Sequence, residues 1–560
     1  MSKKAEQTII YVLWIITGLV CIKSIFTDFG GDDAYQMLMS YRHLNGDLMF
    51  TQMWEPHQTS IFVNDLLLLL YKLVVPSFTG AALYLQICGT ALFALICVPV
   101  YKLIKPVAGR LCAHFICVFI LVFRVKQTPC IEFSNLEIAF SILAFVYLVK
   151  FINGQQKVGY LCLVGLFVFL QTLSYPTCFV SLIAVMVMLI AKTEKKVRNC
   201  ITVFGICAGL GMVYAIYFVV RIGFVNLLTI AANIFNSDTH SVRKFGAYWT
   251  GLVYALIGLL ISTIIAFAIC KFLSAIKAKK CSYLVCFGVA CFFMEVLLLI
   301  SARLVGFDWN SSFYIVPLVM IFIGLSAYKK MNTDEKIIWI AGNLFAVSSF
   351  VATLMLTDLG IITIVSYLML GGAVSFIPLR HLFIDTKKFV IFSLCILSLV
   401  LFHRGIVVWG YGNYNGNVER IYEIENVVRS GPTAGIFCNY MTKAFVKANT
   451  RDFGQYINED DKVLLVGGEL IDPNDFILAK GNISNQSVID TPLYNESLEN
   501  YFSMNPEKRP SVVAVSSWFG NIAVDVDSWV IGWIADDYDY CGDGDYWKFY
   551  RLRGANNLHL

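Results

Sequence analysis

IFVNDLLLLLYKLVVPSF, residues 61–78, is apolar enough to enter a membrane, and whether it crosses fixes the orientation of everything after it. It carries Asp65 and Lys72 and runs into Pro76. Thirteen other apolar runs, near 8–27, 80–103, 111–127, 135–152, 158–174, 176–191, 199–221, 247–272, 282–303, 312–328, 337–356, 359–378 and 388–409, have roughly the 17–25 residues a helix needs to span a bilayer. Cytoplasmic loops concentrate Lys and Arg. With 61–78 not crossing and the N-terminus inside, 21 of the 31 basic residues before Tyr411 fall on the cytoplasmic side. A crossing at 61–78 leaves only 10 there. The run is therefore expected to lie at, or dip into, the outer face.

Working outward, the composition agrees with a membrane chain. Of 560 residues, 58% are hydrophobic and 14% charged, with a mean hydropathy of +0.69. A globular domain carries about 25% charged residues, so a soluble enzyme is excluded. The basic excess sits in the apolar part: residues 1–410 hold 31 Lys+Arg and 17 Asp+Glu, residues 411–560 hold 12 and 21. Nucleic acid is thus not the partner, and membrane lipid is. Lys3 and Lys4 precede the first run without a small-residue cleavage site, which reads as a retained helix in a plasma-membrane protein. The expected fold is mainly α: a polytopic bundle of about thirteen transmembrane helices over 1–410, with a C-terminal extracytoplasmic α/β domain over 411–560. In that tail, 418–429 has helical periodicity, and so does 496–504. Residues 463–467, 511–516 and 546–552 read as strands.

The chemistry concentrates in two outer segments. In the loop 28–79, Asp32 and Asp33 open an amphipathic stretch over 34–44 that is expected to lie on the membrane face. Acids at a helix start are also ordinary caps. Tyr35, Asp47, Glu55, His57 and Gln58 follow in the same loop, at a boundary where a partly desolvated carboxylate can serve as general base. The short segment TPCIEFSNLE, 128–137, adds Glu132, Asn135 and Glu137, with Ser134 or Asn135 as alternative helix caps. Outer-side cations are few: Arg221, Arg243, Lys244, Arg303 and Arg404 either snorkel to headgroups or clamp a phosphate, Arg303 foremost. Glu295, eight residues earlier, is an intramembrane acid and a possible partner of Arg303. A divalent metal among Asp32, Asp33, Glu55 and His57 can be drawn, but no spacing is diagnostic, and the expectation is that no cofactor is required.

Read in order, these stretches resemble the GT-C superfamily of integral-membrane glycosyltransferases, in the branch of protein O-mannosyltransferases and aminoarabinose transferases. The resemblance is carried by Asp32-Asp33-Ala34-Tyr35 through Gly46-Asp47, by Glu55-Pro56-His57-Gln58-Thr59-Ser60, by Phe313-Tyr314-Ile315-Val316-Pro317, and by 501–510, YFSMNPEKRP. Asp33 stands where the family usually has Glu, and a Lys-Pro-Pro is missing at 55–57. The resemblance implies an enzyme that moves a sugar from a polyprenyl-phosphate carrier to a glycan, lipid or protein acceptor on the outer face. It further implies an inverting displacement with Asp32 as general base, Asp33 and Glu132 in support, and Glu55, His57, Tyr35, Arg303, Tyr314, Asn135 and Glu137 at the substrates. A flippase of a lipid-linked saccharide shares the composition. It is disfavoured because no internal repeat is visible and the polar residues gather at one face. A receptor or assembly factor working through its tail is the third class.

Overall fold

The computed structural model describes residues 1–125, 128–154, 156–236, 246–275, 282–305, 311–356, 361–408, 419–466, 473–479, 483–484, 491–517 and 529–554. Helix α1 (Lys3–Thr27) is followed by two short helices, α2 (Gly31–Leu44) and α3 (Phe62–Lys72), and then by a run of apolar helices. These are α4 (Ala81–Ala108), α5 (Arg110–Val122), α6 (Phe133–Asn153), α7 (Val158–Ser174), α8 (Val180–Lys192), α9 (Lys196–Ile222), α10 (Phe224–Asn236), α11 (Gly246–Ala275), α12 (Tyr283–Val305), α13 (Ser311–Ser326) and α14 (Thr333–Leu356). A broken segment, α15 (Ile361–Val365), α16 (Met369–Val374) and α17 (Phe376–Leu379), leads to α18 (Thr386–Ile406).

Among the described residues seven helices are long and apolar enough to cross a membrane, and an eighth crossing results if the pair bent by 48° at Ser375 counts as one. Five shorter apolar helices, α5, α7, the 176–192 segment ending in α8, and parts of α12 and α13, have 10–17 residues and fall short of that length, so seven or eight of the expected thirteen crossings are matched by helices of spanning length. The chain is an integral membrane protein. With 11 residues α3 is only about 16 Å long, half of a hydrocarbon core of about 30 Å, so 61–78 does not span. It packs against α2 and α4 instead. The largest core joins α1, α4, α5, α6, α13, α14, α16 and α18 through such fully buried side chains as Phe115, Phe119, Phe145 and Phe345. Gly372 is needed there: a Cβ would stand 2.6 Å from the Pro317 backbone of α13.

The tail contains two short ladders, β1 (Val407–Val408) with β2 (Glu419–Arg420) and β3 (Asn426–Val427) with β4 (Phe437–Cys438). It continues with α19 (Tyr440–Tyr456), β5 (Val463–Val466), α20 (Pro473–Leu478), α21 (Thr491–Met504), β6 (Val512–Ser516), α22 (Trp529–Asp537), β7 (Tyr538–Asp543) and β8 (Trp547–Leu552). The main sheet has the order β5-β6-β8-β7, parallel at β5/β6 and antiparallel elsewhere. Three of its strands and α21 lie where the sequence places them; α19 and β7 are additions. The periodic stretch within 418–429 is not a helix. Its residues divide between β2, a single 3-10 turn at Ile421–Glu423 and β3, because pairing with Val407–Val408 and Phe437–Cys438 outweighs local propensity.

Candidate active site

α2 begins on a glycine pair. Gly30 is its N-cap, and the Asp33 carboxylate accepts the Gly30 N–H at 2.8 Å, closing the first turn. The second Asp33 oxygen accepts the Thr128 hydroxyl at 2.9 Å, so this buried side chain ties α2 to the segment between α5 and α6. Its neighbour Asp32 is half-buried at the same helix end, where the dipole favours an anion. One turn on, burial first and then the charge of Glu55, with Asp32 adding to it, hold the Tyr35 phenol well above its ordinary pKa. Tyr35 hydrogen-bonds the Glu55 carboxylate and lies at the His57 backbone. Asp32, Tyr35, Glu55 and His57 thus face one space, although up to 25 positions separate them in sequence. The His57 ring stacks on Phe133 with centroids 3.9 Å apart and approaches Tyr175 at 5.0 Å.

Phe133 opens α6, and the cap of that helix is Glu132 rather than Ser134 or Asn135. Its carboxylate accepts the Ser134 N–H at 2.8 Å and the Asn135 N–H at 2.6 Å. The Asn135 amide in turn donates to the Thr128 and Cys130 carbonyls. Gly89 of α4 makes room for this segment, since a Cβ there would lie 1.9 Å from the Pro129 carbonyl oxygen. Glu137, one turn further and fully buried, accepts from Gln171 at 2.7 Å, Cys178 at 3.3 Å and Ser349. It knots α6 to α7, α14 and the 3-10 turn at Pro176–Phe179. Tyr367, in the broken segment, donates to the Ser134 hydroxyl at 2.9 Å and lies within electrostatic reach of Glu132, Glu137 and Asp32. The sequence reading did not single out Tyr367.

Beside the acids lies a cluster of cations, two of them buried. Lys23 of α1 pairs with Asp28 at 2.9 Å and also donates to the Val407 carbonyl. Arg124, just past α5, donates to the Leu121 carbonyl and the Thr90 hydroxyl and sits 5.0 Å above the Phe93 ring. Arg404, near the end of α18, donates to the Val122 carbonyl at 3.0 Å. Arg124 and Arg404 are each 3% exposed, and their charges act on one another and on Asp28. Asp28 and Asp33 are among the opposing charges that act on Arg124. Its Nη1 has no hydrogen-bond partner among the described residues. Three cations here meet two carboxylates. Tyr314 of α13, buried, lies within electrostatic reach of Arg404.

Arg303 is in α12, but its side chain lies outside the described residues. Glu295 pairs with another group: His403 Nδ1 lies 2.6 Å from its carboxylate, both fully buried, with the His403 ring stacked on Phe313. Among the described residues no three His, Cys, Asp or Glu side chains converge in a way that would hold a metal ion.

The loop bearing Glu55 and His57 is held from behind. Buried Arg42 donates to Asp47 at 2.8 Å and lies 3.6 Å from Glu55. Lys508 pairs with the other Asp47 oxygen at 2.5 Å. Tyr501 donates to the Gln52 carbonyl, Asn505 to the Thr51 carbonyl, and Trp54 packs edge-on against Tyr501 at 5.5 Å. The phrase 501–510 is thus the tail's dock on the first loop.

No protein-family model matches the sequence, and no curated protein does. Solved structures are similar in fold. The Archaeoglobus fulgidus oligosaccharyltransferase, solved with zinc and sulfate, matches at 13% identity and a TM-score of 0.48, over 95% of this chain and 72% of that one. The same organism's AglB, solved with an inhibitory peptide and a dolichol-phosphate, matches at 11% and 0.47, over 92% and 69%. ArnT from Cupriavidus metallidurans, bound to undecaprenyl phosphate, matches at 10% and 0.42, over 98% of both chains.

Proposed function

We propose that the chain is a membrane glycosyltransferase that moves a sugar from a polyprenyl-phosphate carrier to an acceptor on the outer face of the membrane, with inversion. The observation that carries this reading is half-buried Asp32 next to Asp33, whose charge acts on Arg124 in a net-positive cluster with half-buried Lys23 and buried Arg404. The apolar helices suit an isoprenoid, the cations suit a phosphate, and the carboxylate suits proton removal.

In this mechanism the acceptor hydroxyl gives its proton to Asp32, and its oxygen bonds to the anomeric carbon. The bond from that carbon to the phosphate oxygen breaks on the opposite face, leaving its electron pair on the polyprenyl phosphate. Lys23, Arg124 and Arg404 balance the charge that develops there, in a water-poor setting where preorganised cations act strongly. Because phosphate is a good leaving group, no general acid is required. Tyr35 and Glu55 orient the acceptor, and His57 with Phe133 forms an aromatic wall. Asp33, Glu132 and Glu137 act through the backbone and packing they hold. The phosphate-binding role expected of Arg303 stays in the proposal, and Arg124 and Arg404 join it. No step is routed through a metal.

The test is sugar transfer by the purified chain in nanodiscs, with a polyprenyl-phosphate sugar as donor. Asp32→Asn should lower turnover by about 10²–10⁴-fold with the fold intact. Near-normal turnover removes Asp32 as the base. Orientation is tested separately: a cysteine placed at Lys195 should be labelled only after permeabilisation.

A further inference from the structure

A cavity lies beside the Glu55–Ser60 segment, with Thr59 in its wall. It has a volume of about 190 Å³ and lies between the C-terminal end of α2, α3 and the last two turns of α9. One wall is a single helix face: Tyr214, Tyr217, Phe218 and Arg221 follow at i, i+3, i+4 and i+7. The opposite wall carries His43 and Asp65, paired at 2.7 Å. Arg221 lies 5.7 Å from the Tyr217 ring and donates to its hydroxyl, which leaves the phenolic hydrogen available to a ligand. Asp65 accepts from His43 through one oxygen only. Its other oxygen, Oδ1, is buried and has no hydrogen-bond partner among the described residues.

We infer that this cavity binds a sugar ring of a glycan-bearing acceptor. The inference deepens the glycosyltransferase reading and rests on it for the word acceptor. The chemistry points to hydroxyls rather than to an anion. A buried carboxylate oxygen lacking a donor accepts a sugar hydroxyl and repels a phosphate. The Arg221 and Tyr217 donors serve ring or ring-substituent oxygens, and the aromatic wall covers the apolar face of a pyranose. The position also fits. Asp32 and His43 stand at opposite ends of α2, about 16 Å apart along the axis at 1.5 Å per residue. A short oligosaccharide bridges that distance and a single sugar does not. Met49 lines the cavity and also packs on the cluster of Tyr35, Phe133 and Tyr175, so the two spaces share a wall.

The experiment is saturation-transfer NMR on the purified full-length chain in detergent, with a panel of methyl hexosides, methyl N-acetylhexosaminides and inorganic phosphate. At least one glycoside should bind saturably, and Asp65→Asn should weaken it tenfold or more. Tyr217→Ala, at an exposed position, should weaken it comparably, and Asp32→Asn should leave it unchanged. Absence of glycoside binding, binding that survives both cavity variants, or competition by phosphate alone overturns the proposal. Glycoside binding in a chain that transfers no sugar keeps the saccharide site and removes the transferase reading instead.

Discussion

Two buried charged clusters flank the first loop, and they are built differently. Around Arg42 the charge account closes: Arg42 and Lys508 meet Asp47 and Glu55, and the guanidinium also donates to the Gln52 and Ser484 carbonyls. Around Arg124 it does not close, because Lys23, Arg124 and Arg404 outnumber Asp28 and Asp33. Burying unbalanced charge is costly, whereas a paired and hydrogen-bonded charge is tolerated. The closed cluster is therefore read as architecture that docks the tail on the loop. The open cluster is read as a place waiting for an anion.

The largest expected effect breaks the closed side. Arg42→Ala removes the charge facing buried Glu55 and one of the two cations on half-buried Asp47, and should cost roughly 3–5 kcal/mol, the usual penalty for removing one partner of a buried pair. Limited proteolysis should then cut between the bundle and the tail, while α-helical signal from the spans persists. A variant as protease-resistant as the parent contradicts the docking role.

Arg124→Leu tests the open side and should behave in the opposite way. Thermal stability should hold or rise, since an uncompensated charge leaves the interior. Binding of polyprenyl phosphate should weaken about 10–100-fold, or roughly 1.4–2.7 kcal/mol. The ligand should raise the melting temperature of the parent chain and not that of the variant. Equal loss of stability in both variants erases the distinction between the clusters.

Much of this was legible in the sequence, and the failures have a common cause. Run length located the apolar helices, and charge bias predicted that 61–78 does not cross, because hydropathy acts locally and its periods survive any packing. The acids of the first loop were visible for the same reason. Lys23 and Arg124 were not, since a lone cation at a span end looks the same whether it snorkels or converges with two others from helices far away in sequence. Glu295 was flagged correctly as an intramembrane acid, but its partner His403 is 108 positions away and no spacing rule reaches it. The stretch within 418–429 failed differently: its helical period is real, and edge pairing with β1 and β4 overrides it.

Acidity offers a graded way to open the closed cluster. Burial alone would raise the Asp47 pKa, but the charges of Arg42 and Lys508 outweigh it and hold the carboxyl below its ordinary value of 3.8. A depressed folded pKa contributes stability above the unfolded value and loses it as the pH falls through the folded one. Tail docking should therefore be constant from neutral pH down to about 4 and weaken below that. Asp47→Asn should remove this acid-dependent component. An unchanged acid transition in that variant assigns it to other carboxylates, Asp461 beside Arg551 being the next candidate.

The smallest effect concerns Glu132, which stands between the two clusters in kind as well as in place. It is buried and charged, as a site residue can be, yet two backbone N–H groups of α6 donate to it, as in a cap. The two roles separate under Glu132→Ser and Glu132→Ala. Serine is a preferred N-cap, so a capping role predicts that Ser retains most of the stability while Ala loses about 1 kcal/mol. A proton-tuning role beside Asp32 predicts that both variants shift the acid limb of the pH–rate profile equally, because both remove the charge. The geometry favours the cap: stability should follow the order Glu, Ser, Ala, and the acid limb should stay with Asp32. A shifted acid limb in the well-folded Ser variant would move Glu132 from the architecture into the chemistry.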